Sequence, residues 1–414
     1  MHTGTKGYFG SVQNGTYGAH LIILGCMHSS RKDELKVALV TDWMTSFGGE
    51  NRVLLELSNL FPKAPIYTTV YRPEELPMFK GREVITSFLD KPPFSWFARK
   101  KFQLFLPFMP LAFESFDFSG YDLVISSNHS CSKGIITNTD TLHIAYCHSP
   151  MRYAWENSHR YLKENTPHLP FVKGAVDRMI HNIRIWDRLA SDRVDAFIGN
   201  SSYIAGQIAK FYRRPSTVIY PPVDTKRFAG TFDKQNYFLA GGRLVPNKRF
   251  DIIVDAFNAT GLPLKIFGKG PERERLMAKA KSNIEFLGFI PEEEVPTLFG
   301  GARAFIVPQI EDFGIVTVEA MAAGTPVIGL GKGGTAELVI PGKTGVLMEE
   351  QTAECLTEKL LAFEDSLFSP TVLQDHAAQF DTQRFITQLS QYVDDTLLRW
   401  KQSRGRGIVF DQHS

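Results

Sequence analysis

The chain has few cysteines, no long apolar run and almost no net charge, and each shortage removes a class of explanation. Cys26, Cys131, Cys147 and Cys355 form no CxxC pair and no metal-type cluster. That argues against a disulfide framework or structural zinc and fits a reducing, cytoplasmic compartment. No stretch has the length needed to span a bilayer, and the apolar run Leu21–Leu24 ahead of Gly25-Cys26 is too short for a lipoprotein-type signal. A formal net charge of +2 over 414 residues argues against a dedicated nucleic-acid binder. The third glycine of a dinucleotide fingerprint is also missing, since Gly268-Lys269-Gly270 runs into Pro271. An NAD-dependent dehydrogenase is disfavoured on that ground. The first 34 residues lack periodicity and read as a loosely ordered extension in which Met27 is a candidate physiological start.

What is present is an ordinary globular composition, 43% hydrophobic and 22% charged, in a chain long enough for two domains. Its organising stretch is 302–324, ARAFIVPQIEDFGIVTVEAMAAG. A buried strand is expected over Ala302–Ile310, then the acidic loop Glu311-Asp312-Phe313-Gly314, then a helix over Ile315–Ala323 stopped by Gly324 and Pro326. Glu319 falls about two turns into that helix. A strand turning into a helix aims free N–H groups and a positive dipole end over the sheet edge, where an anion is the natural guest. Two carboxylates beside such a helix end suit a guest that is part phosphate and part polyol, because hydroxyls donate to carboxylates and phosphates accept from N–H groups.

Strand-like runs recur at helix-spaced intervals on either side. The first, LKVALVT over 35–41, leads through Gly48-Gly49 into a helix from about Glu50 to Leu60. Others fall at 65–70, 83–86, 123–126, 142–146 and 196–199, and this alternation indicates a doubly wound parallel sheet. In such a sheet ligands bind beyond the carboxyl ends of the strands, which makes His148, and more weakly Asn128-His129, candidates. Asn200-Ser201-Ser202 reads as a helix cap. A second sheet is expected to restart at Thr217, giving domains over 35–216 and 217–385, with 386–414 as a helix and tail. Its strand 237–240 runs into Gly241-Gly242-Arg243-Leu244-Val245-Pro246-Asn247-Lys248, whose two cations suit a diphosphate, arginine as a fork and lysine as a point charge. The run 91–118 combines many phenylalanines, Trp96, four prolines and Arg99-Lys100-Lys101. It suits a membrane interface, while ordinary helices packing their aromatic side into the core are the alternative.

Taken together, GGRLVPNK, then EDFGIVTVEAMAAGTPVI with Glu311 and Glu319 in an E-x7-E spacing, then GGTAELV resemble the retaining GT-B glycosyltransferases of group 1, glycosyltransferase family 4. The resemblance covers about residues 35–390. TDWMTSFGGENRVL and YCHSPMRYAWE are similar to a bacterial subgroup that transfers mannose or related sugars in polysaccharide and lipopolysaccharide assembly. The resemblance implies an α/β fold of two Rossmann-like domains facing across a cleft. It implies that Arg243 and Lys248 neutralise the donor diphosphate without an active-site metal or other cofactor. Glu319 would accept from the ribose hydroxyls, and Glu311 would stand near the transferred sugar. The amides of Phe313, Gly314 and Ile315 would face that sugar or its phosphate. Gly288, Phe289 and Ile290 would meet the base, Gly48 and Gly49 would close on the diphosphate, and His148 would stand near the reacting sugar. Arg152 and Glu156 are carried by the subgroup alone. The final helix is implied to cross back to the first domain. Pro221-Pro222 departs from the family's usual pair before Val223-Asp224 and stiffens the hinge.

The implied reaction moves a hexose, with mannose from GDP-mannose as first guess, from a nucleoside diphosphate sugar to a hydroxyl of a glycan or lipid-linked glycan. A lipid-linked acceptor would give the run 91–118 a role at the cytoplasmic face of a membrane. A hydrolysing sugar-nucleotide epimerase of the same fold and a non-catalytic nucleotide-sugar binder are the alternatives; neither would need an acceptor.

Overall fold

Short runs of aliphatic and β-branched residues, spaced by helix-length segments, cannot bury their faces by pairing with the next segment alone. They stack side by side under helices. The computed structural model describes residues 35–156, 158 and 170–406. Met27 and the N-terminal extension lie outside the described residues, as does the tail beyond Arg406. Two wholly parallel sheets result. The first contains β1 (Val37–Thr41), β2 (Ile66–Thr68), β3 (Val84–Thr86), β4 (Leu123–Asn128), β5 (Leu142–Cys147), β6 (Ala196–Gly199) and β7 (Thr217–Val218), in the order β3-β2-β1-β4-β5-β6-β7. The second contains β8 (Phe238–Gly241), β9 (Leu264–Phe267), β10 (Ile284–Gly288), β11 (Phe305–Val307), β12 (Val327–Leu330) and β13 (Gly345–Met348), in the order β10-β9-β8-β11-β12-β13. Both orders reverse beside their first strand, the mark of a doubly wound sheet with a ligand crevice at the reversal.

The expected domain division at 216/217 meets a different arrangement. Thr217 and Val218 pair with Ile198 and Gly199 as the last strand of the first sheet, and the Ile219 carbonyl accepts from the Tyr146 hydroxyl at 2.8 Å. The chain leaves the first domain only at Pro221-Pro222, which have no N–H to extend a ladder. It crosses beside the returning chain, where the Val223 amide donates to the Phe380 carbonyl at 3.1 Å and the Thr382 amide to the Val223 carbonyl at 3.0 Å. The final helix, Thr382–Arg406, then lies on the first domain. Phe385, Leu389, Val393 and Trp400 join Val53, Leu57 and Tyr146 in one core cluster.

The strand expected over Ala302–Ile310 is shorter than the apolar run, since only Phe305–Val307 pair and Pro308 cannot donate onward. The run 91–118 divides its apolar residues between two fates. Ala98, Leu106, Met109, Ala112 and Phe113 are buried in the core, while Phe94, Phe97, Leu104, Phe108 and Leu111 are 47 to 65% exposed. Among the described residues no helix is long and apolar enough to cross a membrane.

Candidate active site

Each sheet presents its strand ends to the other across a cleft. For labels, α1 is Gly49–Leu60, α2 is Pro170–Ser191, α3 is Ser202–Gln207, α4 is Ile315–Ala322 and α5 is Thr382–Arg406. On the second domain, the β8 and β11 ends carry the four charged candidates. Arg243 is exposed to the cleft and shares the wall of a cavity of about 390 Å³ with Glu319, Phe289 and Ile290. Lys248 Nζ lies 2.5 Å from Glu311 Oε1, and Gln309 Nε2 donates to the same oxygen at 2.6 Å. Burial pushes the Glu311 carboxyl up, but the adjacent Lys248 and Gln309 outweigh it and hold it below its ordinary value. Glu311 thus favours the ionised form, with both donors on Oε1.

Helix α4 begins at Ile315, so Glu319 stands just over one turn in, rather than two. Its carboxylate is buried and bound by Arg52 Nη2 at 2.7 Å. Here burial wins over Arg52 and Arg227 and lifts the carboxyl above its usual range. Ahead of the helix, Gly314 has φ of 106°, a left-handed cap that glycine adopts at little cost. Among the described residues the Phe313 and Gly314 amides make no hydrogen bond, and the Ile315 amide, at the helix start, has no intrahelical acceptor. The Phe313 ring itself is structural, packed between Tyr220 and Phe380 at centroid distances of 5.6 and 5.7 Å.

From the first domain, Gly48 caps α1 and Gly49 opens it. A Cβ on Gly49 would lie 3.0 Å from Ile315 Cδ1, so the N-termini of α1 and α4 face one another across the cleft. Arg52, one turn further along α1, supplies the ion pair to Glu319. Arg152 reaches over to Asp312, whose carboxyl burial raises despite that partner. The Ser201 hydroxyl donates to the Asp312 carbonyl at 2.5 Å. Glu337, from GGTAELV, accepts from the Ser202 amide at 2.9 Å and the Tyr220 hydroxyl at 2.6 Å. Asp42 at the end of β1 accepts from the amides of His129, Ser130, Cys131 and Ser132 at 2.6 to 2.9 Å, which fixes the loop after β4.

His148 sits at the end of β5 with its ring nine-tenths buried and Nε2 2.8 Å from Ser127 Oγ. Burial, with a smaller contribution from His129, lowers its pKa to about 3, so the ring is neutral at physiological pH. Glu156 accepts from the Tyr203 hydroxyl at 2.5 Å and from Gln207 Nε2 at 2.9 Å within its own domain. The structure therefore brings Arg243, Phe289, Ile290 and Glu319 to one cavity and Lys248 to Glu311. It places Gly49 against Ile315, and seats His148 on the first-domain strand edge. Gly288 accepts from the Gly268 amide at 2.6 Å beside that cavity. Sequence reasoning missed Arg52, Arg227, Lys269 and Gln309. Arg52 had one usable signal: a residue three places after Gly49 on a helix points along the same face.

Comparison with known proteins agrees with this fold. Residues 223–376 match the model for glycosyl transferases group 1, and residues 47–227 match that for glycosyltransferase family 4. The chain is 31% identical over 212 residues to the lipopolysaccharide core biosynthesis mannosyltransferase LpsB of Rhizobium meliloti, covering 44% of this chain and 58% of the relative. It is 30% identical over 200 residues to a GDP-mannose-dependent alpha-(1-6)-phosphatidylinositol monomannoside mannosyltransferase of Mycolicibacterium smegmatis, covering 39% of this chain and 52% of the relative. The chain thus spans little more than half the length of these curated relatives. The fold is that of a sucrose-phosphate synthase from Thermosynechococcus elongatus, with a TM-score of 0.68 and 19% identity over 87% of this chain and all of that one.

Proposed function

We propose, for a chain that belongs to the group 1 glycosyltransferases and has the two-domain GT-B fold, transfer of a hexose from a nucleoside diphosphate sugar to a hydroxyl of a glycan or lipid-linked glycan. The anomeric configuration is retained. The reading is supported by Arg243 and Glu319 sharing one cavity wall, by the Lys248–Glu311 pair on the neighbouring strand ends, and by two opposed helix N-termini from different domains. The task is to stabilise a departing nucleoside diphosphate and an oxocarbenium-like sugar. Arg243, Lys248 and the N-terminus of α4 take the leaving charge, a preorganised electrostatic contribution that needs no metal ion. Glu319 exchanges Arg52 for the ribose hydroxyls, and Lys248 bridges Glu311 to the departing phosphate. Glu311 is held by Lys248 and Gln309, which favours same-face substitution assisted by the leaving phosphate over attack by an enzymic carboxylate. His148, neutral, faces the reacting sugar as a hydrogen-bond partner.

Mannose from GDP-mannose is the first choice of donor, supported by the mannosyltransferase names of two relatives. The exposed residues Phe94, Phe97, Leu104, Phe108 and Leu111 support peripheral docking on the cytoplasmic face of a membrane, where a lipid-linked acceptor would lie. The test is a thermal-shift screen of GDP-, UDP-, ADP- and dTDP-sugars followed by product analysis with the best binder. A stabilising donor whose sugar appears on an added acceptor with its anomeric configuration kept supports the reading. Release of free altered sugar without any acceptor overturns it.

A further inference from the structure

We propose that Lys269 reads the base of the donor and selects an oxo base (guanine, uracil or thymine) over an amino base (adenine or cytosine). The inference deepens the function proposed above and rests on it. The second sheet acts as a ruler. Its strands β11, β8, β9 and β10 lie side by side, about 4.8 Å apart, and each end carries one kind of group. Glu311 follows β11, Arg243 and Lys248 follow β8, Lys269 follows β9, and Phe289 follows β10. With the diphosphate held at β8 and the sugar at β11, the remaining end of an extended nucleotide runs out over β9 and β10.

Lys269 and Phe289 stand together there. Lys269 Nζ is 5.0 Å from the Phe289 ring centroid, the ring is 66% exposed, and both side chains wall the cavity that holds Arg243 and Glu319. An exposed aromatic ring beside a cavity offers a stacking face to any base. The backbone of Lys269 is fixed from both sides. A Cβ on Gly268 would fall 1.9 Å from the Gly242 carbonyl oxygen, and one on Gly270 would fall 2.2 Å from that of Leu244. The Leu244 amide donates to the Lys269 carbonyl at 2.9 Å, and the Gly268 amide to the Gly288 carbonyl at 2.6 Å. The lysine is thereby wedged between the loop of Arg243 and the loop of Phe289.

Its charge is also unspent. Arg52, Arg227 and Lys248 each have a carboxylate partner, whereas Lys269 forms no ion pair among the described residues. An ammonium is donor-only. It is satisfied by the 6-oxo group of guanine or the 4-oxo group of uracil and thymine. The amino groups of adenine and cytosine would set donor against donor.

The experiment is calorimetric titration of the full chain with GDP, ADP, UDP and CDP, because each oxo nucleotide has an amino counterpart. Wild type is expected to prefer GDP to ADP and UDP to CDP by roughly tenfold or more, the scale of one hydrogen bond to a charged group. Lys269→Met should bring both ratios to within about threefold, and Lys269→Arg, which keeps the donor, should restore them. Equal weakening of all four nucleotides by Lys269→Met would reveal a phosphate contact, and unchanged ratios would reveal no role. Either result overturns this inference while leaving nucleotide-sugar binding intact. Absence of any Arg243-dependent binding would bring down both.

Discussion

At the scale of single residues, the cleft is a set of acids that already have cations. Lys248→Ala and Glu319→Ala should each lower the transfer rate by roughly 10²-fold or more, the loss seen when one preorganised electrostatic contact is removed. Steady-state turnover with the best donor is the check, and near wild-type rates in both would remove the roles assigned to them. Two histidines make a second prediction. Burial takes both His143 and His148 from 6.5 down to about 3, so the fold refuses protons that the unfolded chain accepts. Their stabilising effect is complete above about pH 6.5 and is lost as pH falls towards 3. Urea denaturation should show each ring lowering stability by on the order of 1 kcal/mol per pH unit as pH falls within that window. His148→Gln should halve that slope; an unchanged slope would mean the ring is not buried neutral. Lys248 and Glu311 were legible in sequence because strand-end loops announce themselves by Gly, Pro and charge. Arg52 was not, because its partner lies 267 positions away in another domain (319 less 52), and its spacing from Gly49 gives a helix face but no partner.

At the scale of elements, apolar period and turn residues gave the strands their places, and the misses have local causes. The run 302–310 is apolar throughout, but a ladder also needs an N–H at every step, which Pro308 lacks. The aromatic run 91–118 could not be assigned to core or surface from composition, since its residues serve both sides of the same short helices. Helix α5 was placed by resemblance alone; its sequence is polar and does not say which domain it covers. Its packing yields a prediction. Leu389 is 1% exposed within the first-domain core, so Leu389→Ala should cost about 2 to 5 kcal/mol. Denaturant titration should show the loss, and donor affinity measured well below the transition should stay close to wild type. A stability change under 1 kcal/mol, on the scale of surface substitutions, would show that the helix does not rest there.

At the scale of the whole molecule, the two domains are held shut by Arg52–Glu319, Arg152–Asp312, Ser201 to the Asp312 carbonyl, and Glu337 with Ser202. The two arginines are partly exposed and their buried acid partners give up solvation to meet them, so each ion pair contributes only on the order of 1 kcal/mol. A closure equilibrium needs no more, because that is roughly a fivefold change in population. Asp312→Asn should therefore enlarge the ligand-free radius of gyration in small-angle X-ray scattering and slow turnover several-fold. Saturating donor should restore compaction, and an unchanged radius would show that Asp312 does not latch the cleft. The two crossings at Val223 and Asp381 run side by side and are bonded to each other. The second domain is therefore an insertion strung on a paired tether, like a door hung on two adjacent pins, and it can swing about one line but resists twisting. If optical tweezers grip the chain through handles on β1 and α5, the load falls first on the first sheet and on α5, which covers it. The nucleotide half should stay folded until that helix peels away, so rupture should occur in two ordered steps.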